Sequence, residues 1–172
     1  KKNKKNSIIL NYDEKSENFF KWYQQLTAES LGKKSKGITP IISSMPKDNH
    51  SLLQLYLDGP KNCFFTFFNV SSKSSNELNN TFILQKKNYL KYKNLYKILL
   101  AQQKSTENIF RKKNIPFRSF NVHKRDENTL GELFCFCVLE TILLAKALKV
   151  NPLDQPSVEL IKTETKRLLN KS

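Results

Sequence analysis

The stretch CFFTFFNV at residues 63–70 is apolar at nearly every position. A strand with one wet face alternates apolar and polar residues, so an unbroken apolar run reads as a strand covered on both faces, as in the centre of a parallel sheet. It belongs in the middle of the sheet, with helices above and below. Shorter runs at 7–12 (SIILNY), 37–43 (GITPIIS) and 116–122 (PFRSFNV) read as further strands. Helical periodicity fills the intervals. A helix over 16–30 has an apolar face of Phe19, Trp22, Tyr23 and Leu26 and ends in the lysine-rich turn between Gly32 and Gly37. SLLQLYLD at 51–58 stops before Gly59-Pro60. A third helix is expected over 86–110, with a stripe of Leu90, Leu95, Ile98 and Leu99, and a fourth over 130–148. The run SSKSSNELNN at 71–80 has no periodicity and reads as a loop. Strand and helix alternating with right-handed crossovers predict an α/β fold, a three-layer αβα sandwich on a mostly parallel sheet. In such folds ligands are expected beyond the carboxyl ends of the strands.

At 172 residues the chain is the size of one domain. Its longest apolar run, 133–150, is interrupted by Glu140 and Lys146, so it suits a buried helix and not a bilayer span. No charged segment leads into an apolar one at the start, which is KKNKKN, and the sole methionine is the internal Met45. The sequence is therefore expected to be a piece of something longer, without a signal peptide. The excess of 30 Lys+Arg over 15 Asp+Glu would attract anions. Lysine outnumbers arginine, Asn, Ile and Phe are abundant, and the phenylalanines cluster as FFTFF instead of interleaving the lysines. That joint skew fits biased residue usage, with no nucleic acid and no membrane as partner. Cys63, Cys135 and Cys137 lie in apolar contexts away from either histidine, which fits buried, reduced thiols and a cytoplasmic protein. Cys135 and Cys137 on one helix would point to different faces.

Few residues can carry chemistry. The two histidines are too few for a histidine-based metal site; His123 sits in a charged turn, while His50 begins a helix just after the second strand. Glu29 lies in the last turn of the first helix, where the helix dipole disfavours a negative charge, and that mild anomaly marks it as a candidate site. In VNPLDQPSVELIK, Pro156 suits the first position of a closing helix, with Gln155 as its N-cap. Gln155, Glu159 and Lys162 then share one side of that helix; on local pattern alone, Glu159 and Lys162 are an ordinary surface pair. No glycine-rich phosphate cradle, dinucleotide fingerprint or serine nucleophile elbow is present.

WYQQLTAESLGKKSKGITPII, then DNHSLLQLYLDGPK, NTLGELF and DQPSVELIK together resemble, in that order, the C-terminal half of the glucose-6-phosphate isomerase family. The resemblance runs from Phe19 onward and is weaker over 71–123. The family's closing pattern, aromatic-Asp-Gln-x-Gly-Val-Glu-x-x-Lys, stands here with Leu153 for the aromatic residue and Ser157 for the glycine; the polar positions are kept. The resemblance implies one sugar-isomerase (SIS) domain over 1–172, with its N-terminal counterpart outside this sequence. It implies interconversion of glucose 6-phosphate and fructose 6-phosphate through a cis-enediol, without a cofactor. Glu29 would be the partly buried general base moving a proton between C2 and C1. His50 would assist ring opening in the neighbouring subunit of a homodimer, Lys162 would act on the ring oxygen, and Gln155 would bind the substrate. The family's Gly-Gly-Arg segment and the Ser/Thr-rich loop that grips the sugar phosphate are not in this sequence. The chain alone is accordingly expected to be inactive. A non-catalytic, sugar-phosphate-binding regulator of the same fold remains open, distinguished by whether Glu29, Gln155 and Lys162 converge.

Overall fold

A computed structural model describes residues 4–71, 88–90 and 93–170. Four strands form one parallel sheet: β1 (Asn6–Asn11), β2 (Thr39–Ser44), β3 (Cys63–Val70) and β4 (Phe117–Val122), in the order β2-β1-β3-β4. As the unbroken apolar run of β3 requires, it pairs on both edges, placing Phe65 beside Ile8 and Phe117. Successive side chains of β3 point to opposite faces, so the run feeds two cores at once.

On one face, Ile8, Leu10, Phe65 and Phe67 pack with Tyr56 and Phe110. These last two come from helices α2 (Leu53–Asp58) and α3 (Leu95–Lys112). On the other, Ile9, Phe68 and Val70 meet Phe20 and Tyr23 of α1 (Glu17–Leu31) and Cys137 of α4 (Glu127–Leu148). This is the expected three-layer sandwich. A smaller cluster of Leu31, Ala145 and Val150 joins the C-terminal ends of α1 and α4. Between these helices and the sheet, Arg118 of β4 makes a two-pronged ion pair with Glu140 of α4, its Nη2–Oε2 branch at 2.9 Å. Arg118 Nε donates to Thr66 at 3.0 Å, and Tyr23 of α1 donates its hydroxyl to Glu140 at 3.0 Å. One ion pair thus ties both helices to the sheet.

Several boundaries differ from expectation. The helix predicted from residue 86 begins at Leu95, because the Asn94 side chain accepts the Lys97 N–H at 2.7 Å and starts the helix there. Leu90 falls in a separate turn (Asn88–Leu90), and Leu95 is exposed. The buried side of α3 is instead Gln103, Thr106, Glu107 and Phe110, at helical spacings that polar residues hid from a search for apolar stripes. Gln103 and Glu107 are satisfied in place. Asn69 Nδ2 donates to Gln103 Oε1, and Gln103 Nε2 and Ser119 Oγ donate to Glu107 Oε1 at 3.0 and 2.9 Å. The loop expected at 71–80 lies outside the described residues after Ser71.

The expectation of buried thiols holds for Cys137 alone: Cys63 is half-buried and Cys135 is exposed, because a two-residue spacing on a helix turns Cys135 to the opposite face from Cys137. Burial, and then the nearby Glu140 carboxylate, push the Cys137 thiol up to about 12, so it carries almost no thiolate at neutral pH. Among the described residues no helix is long and apolar enough to cross a membrane.

The closing helix α5 (Pro156–Leu169) has Gln155 at its N-cap and Pro156 at its first turn, as read from the sequence. All of its residues are exposed, among them Leu160, Ile161 and Leu168. The outer face of α4 likewise exposes Leu139, Ile142 and Leu143.

Candidate functional site

Helix α1 runs back from the carboxyl end of β1 toward the amino end of β2, where Gln24 Nε2 donates to the Pro40 carbonyl at 2.9 Å. Its last turn therefore delivers Glu29 to the amino-terminal edge of the sheet. Glu29 thus lies away from the carboxyl edge where ligands were expected, because an antiparallel return helix carries its C-terminal turn to the opposite end. Around Glu29 the chain assembles two amides. Gln25, one helical turn earlier, donates from Nε2 to Glu29 Oε1 at 2.9 Å. Gln155, 126 residues away in sequence, donates from Nε2 to Glu29 Oε2 at 3.0 Å. An ionised carboxylate offers about four acceptor positions, so one amide on each oxygen fixes its plane and leaves lone pairs for a proton.

Glu29 is exposed, and the partial burial expected of a general base is not supplied by this chain. Glu29 lies on the outward side of the last turn of α1, whose other side, Ser30 and Leu31, is buried. Beside the Glu29–Gln155 pair an open cavity of about 400 Å³ is lined by Lys34, Ser35, Asn151 and Pro156, among others. The preceding turn has Lys34 and Ser35 at φ 53° and 58° and Gly37 at φ 138°. At Gly37 a Cβ would also stand 3.1 Å from the Leu31 carbonyl oxygen, which explains glycine there.

The other two candidates stand apart. Lys162 lies two helical turns beyond Gln155, exposed, its Nζ 2.6 Å from Glu159 Oε1. Thus the local reading, an i,i+3 surface pair, describes Lys162 in this chain, and the convergence of Glu29, Gln155 and Lys162 is met by the first two alone. His50 follows the short turn Lys47–Asn49 at the carboxyl end of β2, exposed. Glu29 is near the amino end of that strand. Six residues of strand extend about 20 Å, so His50 and Glu29 occupy opposite ends of the domain. Next to His50, Asn49 Oδ1 is buried without a hydrogen-bond partner among the described residues and lines a separate cavity of about 690 Å³ with Lys93, Lys97 and Thr106.

Gln25 was missed in the sequence because a glutamine on an exposed helix face is unremarkable. Its signal is the i,i+4 spacing to an already suspect glutamate, a distance at which helical side chains meet. Among the described residues no group of acidic, histidine and cysteine side chains could hold a metal ion.

Comparison with known proteins follows the same outline. No family model matches the chain. It is 36% identical over 153 residues to a probable glucose-6-phosphate isomerase from Methanococcus maripaludis, covering 89% of this chain and 34% of that protein. With a glucose-6-phosphate isomerase from Campylobacter jejuni it shares 33% identity over 174 residues, 98% of this chain and 43% of that one. A crystal structure of a hypothetical protein from Thermus thermophilus superposes with a TM-score of 0.89 at 25% identity, over 98% of this chain and 42% of that one. A glucose-6-phosphate isomerase structure from Chlamydia trachomatis matches the fold, with a TM-score of 0.78 at 15% identity, over 97% of this chain and 35% of that chain. The chain thus spans about a third to two fifths of the length of the curated relatives it matches.

Proposed function

Because this chain is a relative of glucose-6-phosphate isomerases over nearly its whole length, we propose that it is one sugar-isomerase domain of an aldose-ketose isomerase. The enzyme interconverts glucose 6-phosphate and fructose 6-phosphate in the cytoplasm. The observation that carries this reading is the Glu29 carboxylate held between the amides of Gln25 and Gln155. A proton moving between C2 and C1 of an open-chain sugar needs a base that reaches both carbons and returns what it takes. A carboxylate oriented on both oxygens with lone pairs to spare meets that need. Glu29 takes the C2 proton of the aldose while O1 gains a proton from solvent to give the enediol, then returns its proton to C1 while O2 releases one to solvent and the ketose forms; the reverse sequence runs the other way. Gln155, whose amide carries a second N–H, donates it to a substrate hydroxyl. Lys162 acts on the ring oxygen once α5 is pressed against the site.

Two features support an assembly larger than this chain. The apolar residues exposed on α4 and α5 form a surface that a second sugar-isomerase domain would bury, and that domain supplies the arginine and the phosphate-gripping loop. Covering Glu29 in this way also removes it from water and strengthens the charges around it. The separation of His50 from Glu29 supports a homodimer in which each His50 completes the neighbour's site during ring opening.

The test is turnover of fructose 6-phosphate. In the assembled enzyme, Glu29→Gln is expected to lower kcat by about 100-fold or more, the range of general base catalysis, with folding intact. Lys162→Ala slows reaction of the cyclic sugar. The 172-residue chain alone shows only background isomerisation. An undiminished rate in Glu29→Gln would overturn the assignment and favour the regulatory, non-catalytic reading.

A further inference from the structure

Gln155 reaches Glu29 although almost nothing else holds its segment there. The chain is anchored as far as Val150, which is buried against Leu31 and Ala145. Beyond it, α5 buries no residue. Yet five residues after Val150 the Gln155 amide lies 3.0 Å from a carboxylate on another helix. Among the described residues, one cation makes the connection across that gap. Lys33 follows Gly32, the C-cap of α1, and its side chain is only 8% exposed. Its Nζ donates to the Asn151 carbonyl at 2.6 Å and to the Ser30 carbonyl at 3.2 Å, and lies 3.2 Å from Asp154 Oδ1. An ammonium has three donors and no acceptor, so three partners saturate it. One partner belongs to the last turn of α1, where a cation also suits the negative end of the helix dipole. The other two belong to the turn that carries Gln155.

We propose that Lys33 is the positioning residue of this site: its buried ammonium fastens the 151–155 turn to the C-terminal end of α1 and so sets Gln155 on Glu29. The neighbouring lysines do not share the role. Lys36 Nζ donates to the Leu148 carbonyl, before the turn, and Lys34 lines the open cavity from a left-handed backbone position. Removing the Lys33 charge leaves two carbonyls and a carboxylate without their shared donor, and the turn loses its tie to α1 ahead of α5. The proposal rests on the reading of Glu29 and Gln155 as one site, but concerns their geometry, so it is tested without turnover.

The experiment is solution NMR on the 172-residue chain. In the wild type, the Lys33 ammonium protons are expected to exchange with water more slowly than those of exposed lysines; equal exchange would overturn the proposal. Glu29→Ala removes the acceptor and so defines the free position of the Gln155 side-chain amide signals. Lys33→Met is expected to move those signals most of the way to that position. The Gln25 amide and the backbone signals of β1 and β3 stay in place. Gln155 signals that remain at their wild-type positions, or Gln25 signals that move equally, would show that Lys33 does not act on Gln155 in particular. Should Lys33→Met lose the β1 and β3 signals, Asp154→Ala takes its place, with a smaller shift of Gln155 in the same direction expected and no shift overturning the idea. A failed isomerase assignment would show in the turnover of Glu29→Gln and leave these spectra untouched.

Discussion

Arg118 shows how much one side chain can decide. It is part-buried, stacked within 6 Å of the rings of Phe120 and Phe136 at 5.1 and 5.5 Å, and paired on both prongs with Glu140. Breaking a buried pair from one side strands the other charge, a cost of about 3–5 kcal/mol when burial is complete and less at this partial exposure. Arg118→Met is expected to destabilise the chain by about 2–3 kcal/mol in urea unfolding. The double change with Glu140→Leu should recover part of the loss, since no charge is then left unpaired but the buried Tyr23 hydroxyl loses its acceptor. Asp126 makes a pH-dependent contribution. It caps α4 by accepting the Thr129 N–H at 2.9 Å, and the hydrogen bond from Lys124, followed by that N–H, holds its carboxyl well below the ordinary carboxylate range. A depressed folded-state pKa stabilises above the unfolded value and is lost as pH falls through the folded one. Comparison of thermal unfolding midpoints should therefore show wild type ahead of Asp126→Asn at pH 6, with the advantage shrinking below about pH 4. A constant difference down to pH 2 would show that the charge is irrelevant to the cap.

Among the elements, α3 and α5 depart most from a plain amphipathic pattern, in opposite directions. Helix α3 buries polar residues because strands β3 and β4 present Asn69, Asn121 and Ser119 to it, and each buried donor or acceptor must find a partner. Its start depends on Asn94, and Asn94→Ala should cost about 1 kcal/mol in urea unfolding with an unchanged slope. Helix α5 has an apolar side that none of the described residues buries. A helix of 14 residues without tertiary packing is marginal in water. Hydrogen exchange of the 172-residue chain should thus show far less protection for the α5 amides than for those of α1, β1 and β3. Equal protection would mean that α5 is stable alone, and that its exposed leucines are not awaiting a cover.

At the scale of the molecule, parallel strands and return helices separate the candidate residues into two ends. Glu29, Gln25 and Gln155 lie at the amino edge of the sheet, and His50 lies at the carboxyl edge. If His50 serves a neighbouring subunit, mixing Glu29→Gln and His50→Ala forms of the assembled enzyme and allowing subunits to exchange should restore turnover, since the mixed dimer holds one site with both residues intact. Additive activities, without restoration, would place the two residues in separate functions. Much of this was legible in advance. The apolar run of β3 dictated a sheet covered on both faces, since no other arrangement hides side chains that point both ways. Pro156 and Gln155 announced the start of α5, and the spacing of Cys135 and Cys137 announced their different fates, because these are matters of local geometry. The family resemblance was carried by ordered motifs, and it grouped Glu29, Gln155 and Lys162 in one site with His50 from a neighbouring subunit; this chain brings only Glu29 and Gln155 together. Their meeting was decided by the tertiary structure. Side chains 126 residues apart touch only because packing brings the end of α4 to the end of α1, and a buried lysine then holds the turn between α4 and α5 in place. The exposure of Glu29 and of α5 has the same origin: a sequence states which residues are apolar, but whether a surface is covered depends on what else is folded against it.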